Sequence, residues 1–157
     1  MVKQFTSVAA SAALALLVAT ALFAQSEAPR QSEAPKTAKG VELGGYCPVA
    51  YVAMNQAVKG SPEHKSVHQG KTYHLTNADA KKMFDAAPAR YLPAYDGLCA
   101  TGVAMGMKLE SDPALFAVHN GRAYLFSDAE AKAMFEKDTR GIIAKADANW
   151  PKVQKKQ

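Results

Sequence analysis

Two cysteines stand in similar settings about fifty residues apart, and they are the only cysteines of this chain. Cys47 lies in the stretch GGYCPVAYVAM, and Cys99 lies in GLCATGVAMGM. In an oxidising compartment such a pair forms a disulfide by default, and a bridge closing a loop of about fifty residues stabilises a fold by about 3 to 4 kcal/mol. In the reduced state the same thiols are ligands for soft or borderline metal ions. We expect the two cysteines to lie close together under either chemistry.

Two histidines favour the metal hypothesis because they repeat along the chain as the cysteines do. His68 and His119 each precede a turn that contains glycine, and they lie 51 positions apart. Two thiolates with one or two imidazoles suit Zn(II) or Cu(I). The sequence therefore predicts a metal site formed by Cys47, Cys99, His68 and His119, with copper as the expected ion and zinc as the alternative. Three methionines would favour Cu(I) if one of them offered its thioether: Met54, Met105 and Met107. A duplicated structural histidine would repeat in the same way, so a purely structural role for the histidines stays open.

A longer repeat surrounds these histidines. Residues 68 to 85 read HQGKTYHLTNADAKKMFD, and residues 119 to 136 read HNGRAYLFSDAEAKAMFE. A duplicated unit of about fifty residues explains this match, so we expect the two segments to fold alike. In each copy a turn with glycine separates two apolar runs, and a helical apolar stripe follows, which predicts a β-hairpin and then a helix.

The ends of these helices carry recognisable residue types. Thr76 and Ser127 are the expected N-caps, and Ser127 would form a capping box with Glu130. Met83 and Met134 stand at helical spacing beside phenylalanines and are expected in the core. The resulting fold class is α+β, a small single domain of two pseudo-symmetric β-hairpin-plus-helix halves with a C-terminal helix.

The two ends of the chain differ in composition from this domain. An apolar run at residues 8 to 23 follows Lys3 and predicts a secretory signal peptide; an uncleaved anchor is the alternative, although about 16 apolar residues fall short of the ~20 that cross a bilayer. We therefore expect a periplasmic or secreted protein with no stable membrane insertion after cleavage. The predicted segments are residues 1–24 as signal peptide, 25–40 as flexible linker, 41–151 as the domain with repeats at about 45–91 and 97–142, and 152–157 as a basic tail. The final helix is expected from about Thr139 to Asn149, with Trp150 packing behind it.

Charge and motif content exclude several function classes. The formal net charge of +5 is spread along the chain rather than concentrated in one block, and no aromatic residues alternate with a basic patch, so we expect no nucleic-acid partner. No CxxC motif, phosphate-binding loop or nucleophile elbow is present, so we expect no enzymatic activity.

The stretch YHLTNADAKKMFDAAPARY resembles the YHS domain family. The shared features are an aromatic strand, an alanine and a phenylalanine four positions apart (Ala80 and Phe84), and the later residues Pro88 and Tyr91. The wider frame GGYCPVAY, KGSPEH, YLPAYDGLCATGVAMG and ADANWP is similar to exported proteins of that family, over roughly residues 41 to 151. The resemblance implies a small α+β module associated with metal binding, most often copper, and found appended to copper-transporting ATPases. It implies no catalytic activity.

The chain departs from that family at the local thiolate pair. Many YHS domains carry a cysteine at the end of the aromatic strand and another four residues later, where this chain has Thr76 and Ala80; the second copy has Ser127 and Ala131. Exported relatives often carry Asp at the position of Cys47. A metal site in this chain would therefore have to be built from its own cysteines and histidines.

These observations leave functions from three different classes. The first is an exported metal-binding YHS-like protein with a Cys/His site and copper as its ion.

 The second is a disulfide-stabilised periplasmic interaction module that binds a protein or small ligand and holds no metal. The third is a thiol enzyme or redox participant that uses both cysteines reversibly. A count of free thiols separates the second from the other two.

Overall fold

The computed structural model describes residues 40–156, which form a small α+β domain. The first half contains α1 (Pro48–Met54), β1 (Ser61–His68), β2 (Lys71–Leu75), α2 (Ala78–Ala86) and α3 (Pro88–Tyr91). The second half contains α4 (Ala100–Ala104), β3 (Asp112–His119), β4 (Arg122–Phe126), α5 (Ala129–Lys137) and α6 (Thr139–Val153). Strands β1 and β2 form one antiparallel two-stranded sheet, and β3 and β4 form another. The α+β fold class is confirmed.

The two halves repeat the same elements in the same order. Strands β1 and β3, strands β2 and β4, and helices α2 and α5 each begin 51 positions apart and have equal lengths. The expectation that residues 68–85 and 119–136 fold alike is therefore confirmed. Helix α6 begins 51 positions after α3 but continues for 15 residues, where α3 has four. The second half thus ends in an extended version of the short helix of the first.

The hairpin turns have the backbone that their residue types favour. Gln69 and Gly70 have φ values of 50° and 75°, and Asn120 and Gly121 have φ values of 51° and 72°. Two consecutive positive φ angles define the type I′ turn, whose twist matches that of the flanking strands. Both hairpins also contain a register irregularity, between Ser61 and Lys65 in the first and at the matching place in the second. The two hairpins therefore share even the irregularity in their strand pairing.

The helix caps lie one residue later than predicted. Asn77 caps α2 by accepting a hydrogen bond from the Ala80 amide at 2.8 Å, and Asp128 caps α5 by accepting one from the Ala131 amide at 2.7 Å. The prediction of Thr76 and its counterpart as N-caps is wrong. Thr76 and Asn77, and likewise Ser127 and Asp128, are all residue types that cap helices well. In each pair it is the side-chain oxygen of the second residue that accepts a hydrogen bond from the first turn of the helix. The hydroxyl residue is left for another contact.

The core consists of three groups of buried side chains. One group lies in each half, around Phe84 in the first and around Phe135 in the second, and the third lies between them around Tyr51 and Leu125. Met83 and Met134, expected in the core, are 41% and 43% exposed. Each helix presents its buried face through an alanine and a phenylalanine four positions apart, such as Ala80 and Phe84, and the methionine beside that phenylalanine falls off this face.

The C-terminal helix is longer than predicted. The sequence predicts its end near Asn149, but the helix continues through Pro151 to Val153 and therefore includes the first two residues of the predicted basic tail. Ala146 and Val153 are fully buried, and the Trp150 ring lies 5.6 Å from the ring of Tyr95, centroid to centroid. The continuation lets the helix cover the core of the second half along its whole length.

Within residues 40–156, none of the helices has the length and apolar content that crossing a bilayer requires. The predicted signal peptide at residues 1–24 and all but the last residue of the predicted linker at 25–40 lie outside the described residues.

The two halves are joined by a buried hydrogen bond. The Tyr51 hydroxyl on α1 donates to the Pro113 carbonyl at the start of β3 over 2.7 Å, and the Tyr51 ring packs 4.9 Å from the ring of Phe116. Tyr51 is completely buried, and this burial raises its pKa well above the usual range. The phenol therefore stays protonated and keeps its proton for the Pro113 carbonyl.

We expect Tyr51→Phe to lower the free energy of unfolding by about 1 to 3 kcal/mol, because it leaves a buried carbonyl without a donor. Urea denaturation measures this change. Tyr46→Phe is the matched control, since the Tyr46 hydroxyl donates to no other described residue and its removal should change the free energy of unfolding by less than about 0.5 kcal/mol. Equal losses in the two variants would contradict the role assigned to the Tyr51 hydroxyl.

Candidate functional site

Both cysteines occupy the position immediately before a short helix. Cys47 precedes α1 and Cys99 precedes α4, and neither has any exposed surface. The Cys47 amide donates to the Val58 carbonyl at 2.8 Å, and the Cys99 amide donates to the Leu109 carbonyl at 3.0 Å. These partners are themselves 51 positions apart, so the backbone of each cysteine is fixed in the same way in its own half.

Each thiol lies beside a side-chain hydroxyl of the same half. The Cys47 thiol donates a long hydrogen bond of 4.0 Å to the Thr76 hydroxyl. The Cys99 sulfur lies 3.4 Å from the Ser127 hydroxyl and accepts a hydrogen bond from the Gly102 amide, also at 3.4 Å. Thr76 and Ser127 are the residues that proved not to be N-caps. The fold thus brings each cysteine beside the hydroxyl residue that precedes the N-cap of the next long helix of its half.

At Cys99 the hydroxyl partner, Ser127, is itself in contact with a charged side chain. The Ser127 hydroxyl lies 2.8 Å from a carboxylate oxygen of Asp128, whose pKa is lowered by the Ala131 amide and then by the Ser127 hydroxyl. In the first half the corresponding residue is Asn77, which has no charge. The two thiol sites therefore share a backbone frame but differ in charge.

The cysteines do not form a disulfide. Both are free thiols, and they belong to different groups of the core, Cys47 to that around Phe84 and Cys99 to that around Phe135. The disulfide that the sequence left open is therefore absent from this structure. The reason is that each cysteine belongs to the interior of its own half, and the buried Tyr51 group lies between the halves.

The histidines lie at the hairpin turns. His68 ends β1 and pairs with Lys71, and His119 ends β3 and pairs with Arg122. The His68 ring packs edge-on to the Phe84 ring at 6.4 Å. Across residues 40–156, no three side chains among His, Cys, Asp and Glu are grouped so that they could hold a metal ion. The structure thus does not bring the four predicted ligands together.

The methionines considered as thioether donors all lie at the surface. Met54 is 55% exposed and Met105 is 61% exposed, each next to the C-terminal end of the helix that follows a cysteine, and Met107 is 39% exposed. These methionines are exposed to solvent, while both cysteines are completely buried.

A groove between the halves is a concave feature that the sequence did not predict. We call it the inter-half groove. It consists of three adjoining cavities of about 60, 90 and 250 Å³, all of which are lined by Glu42 and Asp96. The largest is further lined by Lys71, Leu98, Lys108, Glu110, Trp150 and Gln154.

The groove depends on two matching left-handed turns, Glu42–Gly45 and Ala94–Gly97. The first has positive φ at Leu43, Gly44 and Gly45, and the second has it at three consecutive residues as well. A Cβ on Gly97 would lie 3.1 Å from the Leu43 side chain, so the turns touch and glycine leaves room for the contact. The signal in the sequence was the Gly-x-Cys step shared by GGYC and GLC, which lies 52 positions apart rather than 51.

Charges of both signs line the groove. Lys71 lies 3.5 Å from Glu42, and the Lys108 ammonium donates to the Lys156 carbonyl at 2.8 Å. Within the part of the chain that the structure describes, neither Asp96 nor Glu110 forms an ion pair. Burial, followed by the charges of Glu42 and Asp96, raises the pKa of the neighbouring Tyr73 to about 12. Asp96 and Glu110 are thus carboxylates of the groove without an ionic partner among the described residues.

Comparison of the chain with protein-family models, with curated proteins and with solved structures gives no match in any of the three.

We expect the full chain to have two free thiols, neither of which reacts quickly with a thiol reagent while the protein is folded, because both sulfurs are completely buried. Both should react at once in denaturant without a reductant. A colorimetric thiol count in native buffer and in guanidinium measures this. Cys99→Ser should retain one thiol with the same protection. A count of zero in denaturant would mean that the cysteines are joined and would contradict the structure.

Proposed function

We propose that this chain is a binding module without catalytic activity and that its ligand occupies the inter-half groove. One observation carries this proposal: three adjoining cavities meet along Glu42 and Asp96, one residue from each half. Ligand sites favour concave junctions of this kind. The cavity of about 250 Å³ is smaller than the ~300 to 1,000 Å³ usual for drug-sized ligands, which favours a compact ligand.

The chemistry of the lining favours a ligand with a cationic amine and an apolar part. The carboxylates of Asp96 and Glu110 can accept charged hydrogen bonds, and the Trp150 ring offers an apolar face that also attracts cations. The two lysines of the groove already have oxygen partners, Glu42 for Lys71 and a backbone carbonyl for Lys108. Three carboxylates and two lysines line the largest cavity, so the balance of charge in its lining favours a cationic ligand.

The resemblance to exported YHS domains supports the same class of function, since it implies a small module without catalysis. The apolar run at residues 8 to 23 supports action outside the cytoplasm, as a periplasmic or secreted protein.

The only tryptophan of the chain, Trp150, lines the groove and reports on occupancy. We expect 2-phenylethylamine to change the Trp150 fluorescence in a saturable way, while the neutral 2-phenylethanol does not, because only the amine can pair with the carboxylates. Asp96→Asn should weaken binding of the amine by about tenfold, and asparagine tolerates the positive φ of this position.

The control is Asp79→Asn, which removes an exposed carboxylate of α2 that does not line the groove and should leave binding unchanged. Equal fluorescence responses to the amine and the alcohol, or equal affinity in Asp96→Asn, would reject the groove as an amine site.

Copper binding is the second candidate, favoured by one specific observation: both cysteines are free, so the thiols that a soft metal needs are not consumed in a disulfide. The exposed residues Met54, Met105 and Met107 carry thioethers, which favour Cu(I) over Zn(II). Because the thiols are buried, their coordination to a metal requires helices α1 and α4 to move away from the hydroxyl partners of the cysteines.

We expect the reduced full chain to take up Cu(I), as measured by elemental analysis, and Cys99→Ser to abolish uptake. His68→Ala should weaken uptake and leave the circular dichroism spectrum unchanged. The amide NMR signals of α1 and α4 should shift on loading, since these helices hold the cysteines. Equal uptake by wild type and by the Cys47→Ser/Cys99→Ser double variant would place the metal elsewhere. Absence of uptake would reject the copper candidate. Neither result affects the test of the groove.

A further inference from the structure

A separate cavity of about 190 Å³ lies within the first half. We call it the glycine-walled cavity. Its lining residues are Val41, Gly44, Gly45, Lys59, Gly60 and His74. Three of these six residues are glycines, so backbone forms much of the wall, and no acidic side chain lines the cavity.

The walls of this cavity are fixed by backbone contacts. The Gly60 amide donates to the Gly45 carbonyl at 2.9 Å, and Lys59 pairs with Tyr46 in a short antiparallel bridge. A Cβ on Gly60 would overlap the backbone carbonyl of His74, so only glycine allows these segments to come so close. The cavity is therefore formed before any ligand arrives.

Lys59 is held at the edge of the cavity with donors to spare. Its ammonium donates to the Gly44 carbonyl at 2.6 Å and lies 3.9 Å from the centre of the Tyr46 ring. An ammonium has three N–H donors, so two remain after the bond to Gly44. Lys59 forms no ion pair with another residue among positions 40–156. The Lys59 ammonium is therefore held in position, and no carboxylate of the described chain neutralises its charge.

His74 supplies a second group without a partner. Its Nδ1 atom would lie 3.7 Å from a Cβ on Gly45, and its ring makes no hydrogen bond to any other residue that the structure describes. A neutral imidazole has one N–H donor, and a charged one has two. His74 and Lys59 line the same cavity, and both side chains have donor capacity that no described residue uses.

The second half shows that the fold does not require these two side chains. Lys59 corresponds to Glu110, and His74 corresponds to Leu125, which is completely buried. The same strands, the same irregularity in register and the same left-handed turn form around that acid and that leucine. The donors of the first half are therefore a specific property of the glycine-walled cavity and not a structural necessity of the repeat.

We infer that the glycine-walled cavity binds a small oxyanion, a carboxylate or a phosphate, through the Lys59 ammonium and the His74 imidazole. Oxyanions accept several charged hydrogen bonds at once, and a cavity without acids does not repel them. The site is distinct from the inter-half groove, with which it shares only the backbone of Gly44.

NMR titration of the full chain tests the inference, with phosphate and acetate as separate probes and sodium chloride adjusted to hold the ionic strength constant. We expect saturable shifts at the amides of Gly45 and Gly60 and at the His74 ring with at least one probe. The probe that saturates at the lower concentration identifies the phosphate or the carboxylate as the preferred ligand. Lys59→Glu, which gives the first half the acid of the second, should weaken binding at least tenfold.

Lys59→Arg keeps the charge and should retain binding, and Lys137→Gln removes an exposed lysine of α5 and should have no effect. His74→Leu provides a second variant that removes a donor, and it should weaken binding as well. Shifts that rise linearly with both probes, or affinities that are equal in wild type and Lys59→Glu, would overturn the inference. The amine response of Trp150 should be the same in wild type and Lys59→Glu, so this test and the test of the groove fail or succeed independently.

Discussion

The two left-handed turns, Glu42–Gly45 and Ala94–Gly97, are the constraint on which the rest of the structure depends. Each turn is closed by a backbone hydrogen bond, from Tyr46 to Leu43 at 2.9 Å and from Leu98 to Tyr95 at 3.0 Å. Residues other than glycine avoid this backbone at a cost of about 1 to 2 kcal/mol each, and buried packing must offset that cost. Tyr95 does so through a hydrogen bond to Asp147 at 2.8 Å and a ring contact with Trp150. Both cysteines, the inter-half groove and the glycine-walled cavity lie at or directly after these turns.

The reactive thiols lie in the interior of the molecule, whereas the cavities that could bind a ligand lie at its surface. Cys47 and Cys99 are buried, hydrogen-bonded and separated into different parts of the core. Such thiols behave as small core residues, while side chains in the groove and in the glycine-walled cavity can meet a ligand without a conformational change. This contrast is the physical reason for giving a surface ligand priority over a Cys/His metal site.

The two halves share one backbone arrangement, but they carry different charges at equivalent positions. The position held by Lys59 in the first half is held by Glu110 in the second, and Gly44 is replaced by Asp96. The backbone of the two turns is nevertheless the same. Because surface charges at these positions contribute little to folding, the same fold accommodates opposite charges at equivalent positions of the two halves.

The sequence by itself determined the local structure of this protein, because hairpin turns and helix stripes depend on residues a few positions apart. Asn120 with Gly121 specified a type I′ turn, and the match between the two copies specified that the halves fold alike. The tertiary structure alone decided that each thiol meets a hydroxyl of its own half and that Glu42 and Asp96 share a groove. These features depend on how elements far apart in the chain pack against one another, and no periodicity within a single element encodes that packing.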